Sequence, residues 1–153
     1  MADQNQEDTP TTMDLILDTG CRTAVTGSRW HQRYQAWLRK RNLMWNTVEH
    51  EEVFRFGAGR PILSVEAHLV YPVRVGGLKS WMRLAVVESE KDPRVADCPA
   101  LAGPSELARW GVRMDFAKQS ISIGNGEWQK LRLSSSRHPV LNVLPPEGST
   151  RAM

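Results

Sequence analysis

Three large apolar residues, Leu15-Ile16-Leu17, run straight into Asp18-Thr19-Gly20-Cys21. An apolar run of this kind reads as the end of a buried strand. A carboxylate placed there loses water, which is costly unless it is hydrogen-bonded or shares a proton. The glycine lets another backbone, or a ligand, approach closely. The stretch therefore demands a core strand that delivers one carboxylate on a tight loop. Two such carboxylates facing each other can share a proton and activate a water molecule. Asp-Thr/Ser-Gly occurs once in the 153 residues, so a second carboxylate of this kind has to come from a second copy of the chain.

The remaining composition sets bounds. A hydrophobic fraction of 41% with 24% charged residues is that of a globular protein of one domain. No apolar run approaches the roughly 18 residues of a membrane span, so no membrane partner is expected. Met1 to Thr12 is polar and acidic, carries no signal-peptide core, and reads as a disordered leader. Cys21 and Cys98 are too few for a disulfide framework. No cysteine or histidine pair has metal-ligand spacing; His31, His50, His68 and His138 are scattered, so neither metal nor cofactor is expected. A net charge of +3 permits an acidic partner without demanding one.

Along the chain, strand signal begins at Met13, and Thr23 to Thr26 is short and β-prone. Ser28 is a candidate N-cap for a helix reaching about Leu43. Trp30, Tyr34, Trp37 and Leu38 form one apolar face of it, and Arg29, Arg33, Arg39, Lys40 and Arg41 line the others. The aromatics form the stripe that faces a core instead of sharing the basic face, which weighs against a nucleic-acid-binding helix. Strands are expected over Val48 to Phe56, Ile62 to Val65 and His68 to Tyr71, with Phe56-Gly57-Ala58-Gly59-Arg60-Pro61 as a glycine-tipped hairpin. Pro72 to Val75 enters a Gly76-Gly77 turn, and Trp81 to Val87 returns. Glu88 to Pro99 reads as a polar loop. Pro104 to Gly111 reads as a two-turn helix closed by its glycine. Val112 to Phe116, Ile121 to Ile123, Trp128 to Leu133 and Val140 to Leu144 complete about nine short strands, followed by a flexible tail over 145–153. The sum is a mainly β, barrel-like domain.

This order of parts resembles the retropepsin family, the aspartic proteases of retroviruses and retrotransposons, over about Met13 to Leu144. Leu15 to Gly20 matches the active-site loop and Phe54-Arg55-Phe56-Gly57-Ala58-Gly59 the flap. Leu101 to Leu107, running into Gly111-Val112-Arg113-Met114-Asp115-Phe116, matches the segment packed behind the site. The helix from Ser28 is an insertion relative to compact retroviral enzymes and is closer to the proteases of copia-type elements.

The resemblance implies a closed barrel of the acid-protease fold with one short and one inserted helix, working as a homodimer on a peptide or polyprotein substrate, in the cytoplasm or within a retroelement particle. Asp18, Thr19 and Gly20 would be the catalytic triplet, with Asp18 of each chain forming the dyad and Thr19 locking the two loops. Cys21, Arg22, Phe56, Gly57, Ala58 and Gly59 would contact substrate. Cys21 stands where the family usually has Ala or Ser, and Arg22 where an acidic residue is frequent. Leu101, Ala102 and Gly103 would brace the Asp18 loop, and Val140 to Leu144 with the N-terminal residues would form an intermolecular sheet. A second reading, from another class, is a non-catalytic dimerisation or peptide-binding module of the same fold. A third is a basic nucleic-acid-binding domain built on the Trp30–Arg41 helix.

Overall fold

Strand β1 (Met13–Leu17) alternates buried and less buried positions, with Leu15 fully inside. It lies between two other segments of the chain. On one side β11 (Pro139–Val143) runs antiparallel to it, from Met13 opposite Val143 to Ile16 opposite Val140. On the other, β6 (Leu101–Ala102) runs parallel, with Leu17 opposite Ala102. A computed structural model defines this arrangement over residues 13–20, 23–55, 62–89, 91–135 and 137–146. Cys21, Arg22 and the segment 56–61 lie outside the described residues, as do the leader and 147–153.

The chain is mainly β. The large sheet has eight strands in the order β10-β11-β1-β6-β2-β5-β4-β3, where β2 is Ala24–Gly27, β3 is Asn46–Arg55, β4 is Ile62–Val75, β5 is Leu78–Val87 and β10 is Arg132–Leu133. A small sheet joins β7 (Arg113–Asp115), β8 (Ser120–Ser122) and β9 (Gln129–Lys130). The expected closed barrel is not found among the described residues: β10 and β3 end the large sheet unpaired with each other. The sheet curls instead, and a single bridge between Arg74 and Leu144 joins β4 to the end of β11. Strand β11 is held by β1 along one edge and by β10 at Pro139 and Val140 on the other, so the strand expected between chains is paired within its own. Pro145, expected in the tail, is buried.

Strand β4 runs unbroken for 14 residues where three shorter strands were expected. Its first half pairs with β3 and its second with β5, so each part has a ladder partner even across Pro72. Gly76 and Gly77 turn the β4–β5 hairpin with φ of +54° and +86°, the left-handed pair that a two-residue turn demands.

Helix α1 (Ser28–Lys40) buries Tyr34, Trp37 and Leu38, the expected stripe. It ends three residues before Leu43. Gly27, not Ser28, is the N-cap. A Cβ at Gly27 would meet the Val95 carbonyl oxygen at 2.3 Å, because the 3₁₀ turn Pro93–Asp97 packs against the helix start. That turn was expected as plain loop; Asp92 caps it by accepting from the Arg94 amide. The basic side chains of α1 and its C-cap are engaged locally: Arg29 pairs with Asp97, the C-cap Arg41 donates to the Trp37 carbonyl at 3.0 Å, and Arg39 lies over Trp45. Helix α2 (Pro104–Arg109) stops before Gly111 as expected.

The main core gathers Leu15, Leu17, Tyr34, Leu38, Tyr71, Leu84 and Trp110 between the large sheet and the two helices. The buried polar tips are satisfied. The Tyr34 hydroxyl donates to the Pro72 carbonyl at 2.7 Å, and Trp110 Nε1 to the Trp81 carbonyl at 3.2 Å. A smaller cluster, Val25, Val65, Ala85, Val87 and Val95 with Phe54 and Leu101 against it, lies at the other end of the sheet.

Candidate active site

Asp18 leaves the C-terminal end of β1 half-buried, with Thr19 and Gly20 exposed beyond it. Its position is fixed by backbone bonds from behind. Ile16 donates to the Ala100 carbonyl at 2.9 Å, and Asp18 itself donates to Ala102 at 2.9 Å. The Ala100 and Ala102 carbonyls thus hold the end of β1 and the start of the loop, with Ala102 fully buried, where Leu101, Ala102 and Gly103 were the expected brace. Within the loop the Gly20 amide donates to Asp18 Oδ1 at 2.8 Å, which holds one carboxylate oxygen. A Cβ on Gly20 would sit 3.2 Å from that same Oδ1, so this bond suits a residue without a side chain.

The carboxylate opens into a cleft of about 730 Å³. Its floor carries Val25 and Leu101, and its far wall is β3, from His50 to Arg55. The β3–β4 ladder holds as far as Arg55 opposite Ile62. Of the sequence-derived candidates, the structure brings Asp18 and Gly20 to the cleft wall. Cys21, Arg22, Phe56, Gly57, Ala58 and Gly59 fall outside the described residues.

Residues that no local motif announced line the same cleft. Glu52 is buried more deeply than Asp18's neighbours on the loop, with a side chain 14% exposed. Its Oε2 accepts from the Thr23 hydroxyl at 2.7 Å, which ties β3 to the strand that follows the Asp18 loop. Its Oε1 lies 3.0 Å from Nε2 of His68, a ring only 2% exposed. His68 Nδ1 in turn accepts from Arg83 Nε at 2.9 Å. Burial and then Arg83 push the His68 imidazole below its usual range, with Glu52 pulling the other way. The signal for this grouping was the regular spacing of His50 and Glu52 on one strand. The cross-strand register that brings in His68 includes a bulge between Glu49 and Glu52, which no sequence pattern displays.

Comparison with protein-family models and with curated proteins finds no match to this chain. Among the described residues, no helix is long and apolar enough to cross a membrane.

Proposed function

We propose that the chain is an aspartic endopeptidase of retropepsin type, assembled from two copies and acting on a polyprotein of a retroelement. The observation that carries this reading is Asp18. It stands half-buried at the end of a core strand, braced by β6, with one oxygen held by Gly20 and a cleft on its open side. The Asp-Thr-Gly sequence itself and the ordered match of flap and α2 segments in the sequence support the same reading.

In this account Asp18 of each chain faces its counterpart. Like charges so close cannot both ionise, so the pair shares one proton. The ionised carboxylate takes a proton from water as that water attacks the scissile carbonyl. The protonated one donates to the carbonyl oxygen. Glu52 does not serve as the second acid, because its Oε2 is committed to Thr23 and its Oε1 faces His68. An extended peptide lies along the wall formed by β3. Gly20 leaves room for the backbone of that peptide.

The experiment is cleavage of a polyprotein or peptide library by the parent chain beside Asp18→Asn, with mass measured in parallel. Cleavage by the parent dimer that is lost in the variant supports the reading. A stable dimer that binds peptide without cleaving it favours the second reading, a dimerisation or peptide-binding module, for which the braced cleft is equally suited.

A further inference from the structure

We infer that His50, Glu52 and His68 form a binding site for a divalent transition-metal ion of the zinc class, set in the wall beside the Asp18 cleft. Glu52 Oε1 lies 3.0 Å from His68 Nε2 and 4.0 Å from His50 Nε2. One donor atom from each of the three residues falls within 4.8 Å of the other two. Bonds of 2.0–2.1 Å in a tetrahedral zinc site put neighbouring donors about 3.3 Å apart, so the set brackets the required spacing. The donor types, two imidazoles and a carboxylate, suit zinc and its first-row neighbours better than calcium or magnesium.

A second observation points the same way. Among the described residues, the buried Glu52 Oε1 and His68 Nε2 have no hydrogen-bond partner apart from each other, paired at 3.0 Å. The pair presents a carboxylate oxygen and an imidazole nitrogen side by side, both buried and held by no other hydrogen bond among the described residues. The carboxylate is already oriented from behind by the Thr23 hydroxyl, as ligating carboxylates usually are. Entry is open: His50 is half exposed, and both histidines line a second cleft of about 280 Å³. Two hydrogen-bonded strands carry all three ligands.

Arg83 is the unusual member. A ligating histidine generally donates from its other nitrogen, whereas His68 Nδ1 accepts from Arg83 at 2.9 Å. Without the ion, the ring proton therefore sits on Nε2. An entering ion takes the Nε2 lone pair only once the ring proton has shifted to Nδ1, which keeps the imidazole neutral and breaks the hydrogen bond from Arg83. Arg83 opposes this twice, by its charge and by occupying Nδ1, and so holds the affinity down. The site does not involve Asp18 and stands whether or not the chain cleaves peptides.

The test is titration of the full chain with Zn²⁺ against a chromophoric chelator, repeated with Co²⁺ for its visible spectrum. The parent binds one equivalent, with a Co²⁺ spectrum of low-symmetry nitrogen and oxygen coordination. His50→Ala and Glu52→Gln each weaken binding at least about tenfold; His50 is exposed enough that its loss leaves the fold intact, which circular dichroism checks. Asp18→Asn binds like the parent, and Arg83→Met binds more tightly. Equal binding by the parent and His50→Ala, weaker binding by Arg83→Met, or no binding by a folded parent would overturn the assignment.

Discussion

His31, on α1, stacks its ring on Tyr71 of β4, and its Nδ1 forms a hydrogen bond with the Tyr71 hydroxyl. Burial holds this imidazole below its usual range; Glu88 opposes the shift and Arg39 adds to it. Burial also pushes the Tyr71 hydroxyl up, which keeps it a donor throughout the working range. The unfolded chain therefore binds more protons than the folded one below pH 6.5, the ordinary histidine value. The stability His31 contributes is complete above that pH and is lost as pH falls through the window beneath it. Urea midpoints measured from pH 7.5 to 5 should fall on acidification, with a shallower fall in His31→Gln; identical slopes would contradict the assignment. Tyr34 makes a second residue-scale case. Tyr34→Phe removes the hydroxyl that serves the Pro72 carbonyl and should cost about 1–2 kcal/mol in equilibrium unfolding. Asp18 was legible from sequence because its signal is local: an apolar run, a carboxylate and a glycine are contiguous. His50, Glu52 and His68 were not, because their meeting depends on a bulged register between two strands.

At the scale of elements, α1 was readable from its stripe, since Tyr34, Trp37 and Leu38 repeat with the helix and all face the core. Its start was misread. Ser28 has the chemistry of a cap, but the chain turns one residue earlier, at Gly27, because the Val95 and Ala96 carbonyls crowd that point. The same crowding hid the 3₁₀ turn, whose five residues show no apolar period. Gly27→Ala should then destabilise the protein by about 1–3 kcal/mol, the usual cost of forcing extra volume into a packed site. Thermal or urea unfolding reads this directly, and an unchanged midpoint would show that Pro93–Asp97 does not pack there. Strand β4 escaped as one element because its pairing changes partner midway: β3 takes its start and β5 its end. The Gly76-Gly77 hairpin, by contrast, is fixed by two residues whose positive φ the sequence advertises.

For the whole molecule, the mainly β class followed from many short β-prone runs separated by turn residues. Closure did not follow, because whether the ends of a sheet pair depends on curl summed over all eight strands. The result is a curled sheet whose two cores have separate tasks. The larger one anchors α1 and α2, and the smaller one lies beneath the cleft that Asp18 opens into. On the proposed reading, a cleft bearing one such carboxylate per chain ties activity to assembly, so specific activity should rise with protein concentration until the dimer is full. Cleavage assays across that range, paired with sedimentation, check this; activity proportional to chain at every concentration, from a monomer, would contradict it. The most direct measurement is peptide cleavage by the parent beside Asp18→Asn at matched mass. The account predicts cleavage by the parent dimer and at least a thousandfold loss in an Asp18→Asn dimer of the same mass, roughly the scale on which removing a catalytic group acts. Undiminished cleavage by Asp18→Asn would contradict it.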